Sequence, residues 1–193
     1  MYYRMIKTTK FVIIDFLRRI FDANARGLLD FKDGDRAIKF TSRPRIIQTD
    51  EWDRRIHPVV LIGSASGPIQ KFDLQDFKDV GDFITLGGYA ELSLTLSGVA
   101  KTKEERDDLI DVVAVYLSRP DARTFLQANG VVLPKPPSFD GETSMDVPTT
   151  DYKLYQTDLG LQVNVEWEEA IAVQRISKIF LESVELYDSS IDP

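Results

Sequence analysis

The clearest regularity in the chain is an alternation that gives way to a broad apolar stretch. Across residues 90–96, Ala90, Leu92, Leu94 and Leu96 alternate with Glu91, Ser93 and Thr95. A period of two puts the apolar set on one side of an extended chain, so a strand with one buried face is expected. Thr102 and Glu105 have the spacing of a capping box, in which a hydroxyl and a carboxylate satisfy amides freed at a helix start. The helix expected over 103–118 begins with charged turns. It then becomes apolar on most sides, through Leu109, Ile110, Val112, Val113, Val115, Tyr116 and Leu117. Such breadth predicts burial on more than one face, by another element or by another subunit. Gly98, between the two, reads as a point where the ladder relaxes or bulges.

The rest of the pattern is less regular. Residues 9–25 carry Ile13, Phe16, Leu17, Ile20 and Phe21 at helical spacing, predicting an amphipathic helix within an N-terminal extension over 1–30. Asp33-Gly34 signals a turn before a short strand around 37–40, and the apolar run 59–62 suits a buried strand. GSASGP at 63–68 reads as a turn or adaptable contact loop, and residues 74–80 as a short helical turn. Pro120 stops the long helix, Asp121 caps a second over 122–128, and Asn129-Gly130 ends it. Residues 131–133 start a strand. Residues 134–150, PKPPSFDGETSMDVPTT, hold four prolines and read as an extended arm with no folded element of its own. Alternation returns over 151–168 in Leu159, Leu161, Val163, Val165 and Trp167, with Asp158 and Gly160 marking a bulge or turn. Residues 169–175 read as a helical turn leading into a final strand.

No repeat and no second domain emerges, so 1–193 is expected as a single α+β domain. Its architecture is a mainly antiparallel β-sheet with helices packed on one face, plus an N-terminal helix and a long Pro-rich loop. With 43% hydrophobic residues the chain can bury a real core. It has no Cys, which excludes disulfides and thiolate metal sites. No apolar run approaches the ~20 residues a helix needs to cross a bilayer. Arg4, Lys7 and Lys10 precede an apolar FVII, but Asp15, Arg18 and Arg19 cut that run short, so a soluble product of the cytoplasm is expected. A formal charge of -7 at pH 7 argues against general nucleic-acid binding, which rests on Lys and Arg neutralising phosphates.

Candidate chemistry is sparse. His57 is the sole histidine and precedes Pro58, which favours extended backbone; it has no metal-ligating partner and no Ser-His-Asp arrangement. Glu104, Asp107, Asp108 and Asp111 lie on one helix with no second contributor and read as a solvated acidic face. Arg43, Arg45, Arg54 and Arg55 are interspersed with Asp50, Glu51 and Asp53, the composition of a mixed-charge loop. No catalytic, cofactor-binding or metal residue is assigned. A Mg²⁺-dependent carboxylate enzyme such as a nuclease lacks the Lys-bearing motif it needs. A cellular adaptor acting through the proline arm is the other class of alternative.

Two stretches resemble a known family. Residues 87–117, GGYAELSLTLSGVAKTKEERDDLIDVVAVYL, are similar to the central strand and helix of phage tail terminator (tail completion) and related neck proteins. Residues 151–170, DYKLYQTDLGLQVNVEWEEA, resemble the long strand of the same group. The resemblance spans roughly 56–187, and neither the N-terminal helix nor the proline-rich arm is part of the shared pattern. It implies a virion structural protein, made in the host cytoplasm, that forms a ring, commonly six-fold, at the head-proximal end of the tail tube. Its partners would be its own copies, the tail tube and the neck or connector proteins. DNA would pass through the channel without specific binding, and no membrane or cofactor would be involved. The family brings no catalytic residues. On this reading the candidate interface residues are Val112, Val113 and Tyr116 on the long helix, and Pro134, Pro136, Pro137 and Phe139 on the arm.

Overall fold

A computed structural model describes residues 2–68, 78–80, 83–146 and 153–172, with side chains over 6–68, 88–146 and 153–165. The described helices are α1 (Tyr2–Ala25), α2 (Lys103–Ser118) and α3 (Pro120–Ala128). The strands are β1 (Lys32–Asp33), β2 (Arg36–Ala37), β3 (Arg45–Gln48), β4 (Val59–Ser66), β5 (Lys78–Val80), β6 (Phe83–Ala100), β7 (Val131–Val132), β8 (Ser138–Asp146) and β9 (Lys153–Ala172). The fold is α+β. The chain divides into two compact units, one of residues 1–68 and 91–165, the other of 69–90 and 166–193. In the second, β5 pairs antiparallel with the start of β6, Lys78 opposite Thr85 and Val80 opposite Phe83.

The main sheet runs in the order β3-β4-β6-β9, with β7 and β8 end to end on the outer side of β9. Strands β3 and β4 run parallel, and the ladders β4–β6, β7–β9 and β8–β9 are antiparallel. Alternation assigns the faces. Gly98 packs against Ile110 of α2, so Leu92, Leu94 and Leu96 share the helix side of β6, and Val60 and Ile62 join them across the ladder. The other face carries a smaller core of Val59, Leu61, Val99 and Leu154, against which Ile47, Trp52 and Met145 pack. The indole of Trp52 donates to the Ile56 carbonyl at 3.0 Å, which closes the 52–56 turn beside this cluster.

The ladder does not relax at Gly98, which pairs directly with Val60. Glycine is needed there for the helix instead: a Cβ would lie 3.3 Å from the Ile110 Cβ. Gly98→Val is therefore expected to overpack the α2–β6 seam and cost about 1–3 kcal/mol. The check is a denaturation midpoint that falls at unchanged slope.

Several elements differ from the sequence expectation. Helix α1 starts at Tyr2, earlier than the expected start at residue 9, and its Ile13, Leu17 and Phe21 are core residues. Phe16 stacks at 5.6 Å on Phe125 of α3. Strand β4 continues through 63–66, where a register shift between Ile62 and Ala65 absorbs the small residues expected to form a loop. A Cβ on Gly67 would collide with the Glu91 carbonyl, so glycine lets β4 end against β6. The strand near 37–40 is only the two residues of β2, closed against β1 by a turn with Gly34 at φ 58°. Pro120 opens α3 at its first turn, where a missing N–H costs nothing, and Arg119 holds the cap position in place of Asp121.

The arm is the largest correction. Residues 138–146 form β8, paired with β9 from Ser138↔Gly160 to Asp146↔Lys153. The bulge falls at Asp140, whose carboxylate folds over Gly160. Eight of its nine residues are exposed, so the strand has no apolar face for a period-two pattern to reveal. Residues 78–80 and 169–172 are strand where helical turns were expected. The expected elements over 74–77 and 173–187 lie outside the described residues.

Candidate functional site

The first turns of α2 gather several long-range side-chain bonds. Thr102 caps the helix, its hydroxyl accepting from the Glu105 amide at 3.2 Å. The return half of the capping box is diverted. The Glu105 carboxylate accepts from the amide and the hydroxyl of Thr41, both at 2.7 Å, and so ties the incoming chain to the helix. Arg36 on β2 makes ion pairs with Glu104 at 2.6 Å and with Asp108, and Asp108 is the main reason its pKa is raised. Buried Arg106 donates to Asp107 at 2.6 Å and to Glu142 of β8 at 3.0 Å. Strand β8 is thus fastened to α2 by a charge-assisted bond as well as by its ladder.

Between these anchors lies a cleft of about 440 Å³. Asp30, Asp33 and Ile38 border it on one side, Asp111, Val115 and Tyr116 of α2 on another, and Phe139 of β8 closes it. Val115 and Phe139 are each 59% exposed, a high value for large apolar side chains. Burial pushes the Asp111 carboxyl above the usual range, and the neighbouring Asp107, Asp108 and Asp33 push it further. The floor is apolar, and the rim carries four acids, Asp30, Asp33, Asp108 and Asp111, against two bases, Lys32 and Arg119. Neither His nor Cys lines it, and among the described residues no three acidic or imidazole groups converge as metal ligands.

The candidate interface residues separate into two sets. Val112, Val113 and Tyr116 are buried in the chain's own core, at 5%, 0% and 8% exposure, which corrects their assignment to a subunit interface. The cover comes from the 28–40 segment and α1: Phe31 meets Tyr116 edge to face at 5.5 Å, and Phe21 meets Phe31 at 5.4 Å. Pro134, Pro136 and Phe139 are exposed and Pro137 is half-buried, all leading into or on β8.

A second hollow, of about 550 Å³, lies beside β3 and is lined by Arg18, Arg43 and Arg45 with Phe21 and Asp22. The Arg18 guanidinium donates to the Ile46 carbonyl at 2.9 and 3.3 Å. Arg43 pairs with Asp22. The sequence placed Arg43 and Arg45 in a basic patch but gave no sign that Arg18, on α1, joins them. Farther along, Arg55 holds the Asp53 carboxyl at about 2. His57 accepts from Ser42 through its carbonyl at 3.3 Å and precedes a cis proline; burial, then Lys101, lowers its imidazole pKa.

Among the described residues no helix is long and apolar enough to cross a membrane. No protein-family model matches the chain, and no curated protein matches it.

Proposed function

We propose that this chain is a virion structural subunit of a tailed phage. In this reading its copies form a ring, commonly six-fold, that terminates the tail tube and meets the head connector. The observation that carries the reading is the exposed pair Val115 and Phe139 beside the outer strand β8. Large apolar side chains presented together around a cleft mark a protein contact more readily than turnover. The strand–helix resemblance over residues 87–117 supplies the kind of assembly. The acid excess suits a channel through which DNA passes without adhering, since like charge repels it. The chain performs no catalysis in this role and needs no cofactor. Its other partners would be tube and connector proteins.

Mass in solution by light scattering, with negative-stain imaging, tests the proposal. The parent should form closed rings at high concentration. Phe139→Asp should stay folded, because the site is exposed, yet shift the population toward monomer. A strictly monomeric parent that is also absent from purified phage particles would sink the reading. Capture of one cellular partner without any effect on phage assembly would replace it with the adaptor reading.

A further inference from the structure

The two outer strands of the main sheet carry opposite charge. Strand β8, at one edge, contains Asp140, Glu142 and Asp146 and no base. At the other edge, the approach to β3 and the strand itself bring Arg43 and Arg45, and α1 adds Arg18 over the same edge. Part of each edge's charge is already compensated within the chain, since Arg43 pairs with Asp22, Glu142 with Arg106, and Asp146 lies 3.7 Å from Lys153, so Asp140 and Arg45 carry most of the contrast. Among the described residues, no carboxylate pairs with Arg45.

Resting on the reading above, we infer that the ring is built head to tail, the acidic β8 edge of one copy seating against the arginine-lined hollow beside β3 of the next. The occupant of each edge is a second copy of this chain. Two β8 edges brought together would oppose acids with acids, and two β3 edges would oppose arginines with arginines. Both arrangements are penalised by like-charge juxtaposition. A heterologous contact avoids this, and it is also the contact that closes into a ring when repeated. The two edges contribute differently. At β3 the Ile46 carbonyl is already occupied by Arg18, so the ladder is not extended there. The contact is instead carboxylate to guanidinium, for which planar arginine forks suit paired oxygens. At β8 the side chains reach outward from both faces, since the strand is exposed along nearly its whole length.

Charge reversal tests the inference. One variant carries Asp140→Lys with Asp146→Lys and leaves Glu142, which holds Arg106, untouched. The other carries Arg43→Glu with Arg45→Glu. Circular dichroism and the thermal midpoint confirm that each is folded. Each alone should lose association by at least about tenfold, the equivalent of 1.4 kcal/mol. An equimolar mixture should recover the parental ring mass, because one variant then has two basic edges and the other two acidic ones. Parental association should also weaken as salt rises from 50 to 500 mM, through screening. The inference is overturned if either variant assembles like the parent, or if the mixture stays monomeric. It is also overturned if only the β8 variant is affected, which would point to β8 meeting β8. A parent that never assembles removes the ring reading itself, whereas a parental ring indifferent to reversal removes only this choice of edges.

Discussion

Val113→Asp is expected to abolish the native state at neutral pH. Val113 is fully buried in the middle of α2, on the side covered by the chain itself. An aspartate there loses the packing of a buried valine, about 1.5–3 kcal/mol, and places a carboxyl in apolar surroundings. The sum should exceed about 4 kcal/mol, a large part of the stability of an ordinary domain. The pH dependence has a definite sign. A carboxyl buried without a partner has its folded pKa raised, so the neutral form is tolerated better than the charged one. Any residual stability is therefore greatest at low pH and is lost as pH rises through the folded pKa. Val113→Ala supplies the control, costing only the packing term. Val115→Asp, two positions away and 59% exposed, should stay within about 0.5 kcal/mol of the parent. Denaturant titration of the three variants at two pH values checks the ordering. A folded Val113→Asp protein with a parental midpoint would mean that the helix is rotated from its described position.

What was legible in the sequence follows from how each element is buried. Strand β6 and helix α2 were visible because each contrasts an apolar set with a polar one at a clean period. The wide apolar surface of α2 was read correctly as burial on more than one face. Its cover was misassigned to another subunit because the covering residues come from the segment around Phe31, Ile38 and Phe40. That stretch has almost no secondary structure of its own, only the short β1–β2 pair, so no periodicity announces that it is core. Strand β8 failed for the opposite reason. It is held by backbone pairing and by Arg106, and with both faces exposed it reads as polar coil. The capping box was half right: Thr102 caps, but Glu105 turns to Thr41, a partner 64 positions away that no local motif can identify. Of the residues around the cleft, the sequence singled out Val112, Tyr116 and Phe139 as contact candidates, and of these only Phe139 is exposed. The charged border of the cleft and the arginine hollow arise from long-range convergence.

The aromatic cover of α2 gives the second large effect, through Phe21→Ala. Phe21 is 2% exposed and packs at 5.4 Å on Phe31 and 5.9 Å on Phe40, both edge to face. Truncation should cost about 3–5 kcal/mol, as phenylalanine removal from a close-packed core does. Part of that is specific to the ring pairs, about 0.5–1.5 kcal/mol each. Because Phe31 adjoins Asp30 and Asp33, loosening it also loosens one wall of the cleft. If the proposed ring forms, the variant should therefore lose assembly at temperatures where its far-ultraviolet spectrum is still native. Arg19→Ala serves as the counterpart on the same helix. Its guanidinium lies 4.8 Å from the Phe125 ring at an exposed site, which is worth about 0.5–1 kcal/mol. If α1 were a detachable extension, both substitutions would fall below about 1 kcal/mol. A large loss for Phe21 and a small one for Arg19, measured by chemical denaturation, places the inner face of α1 within the cooperative core.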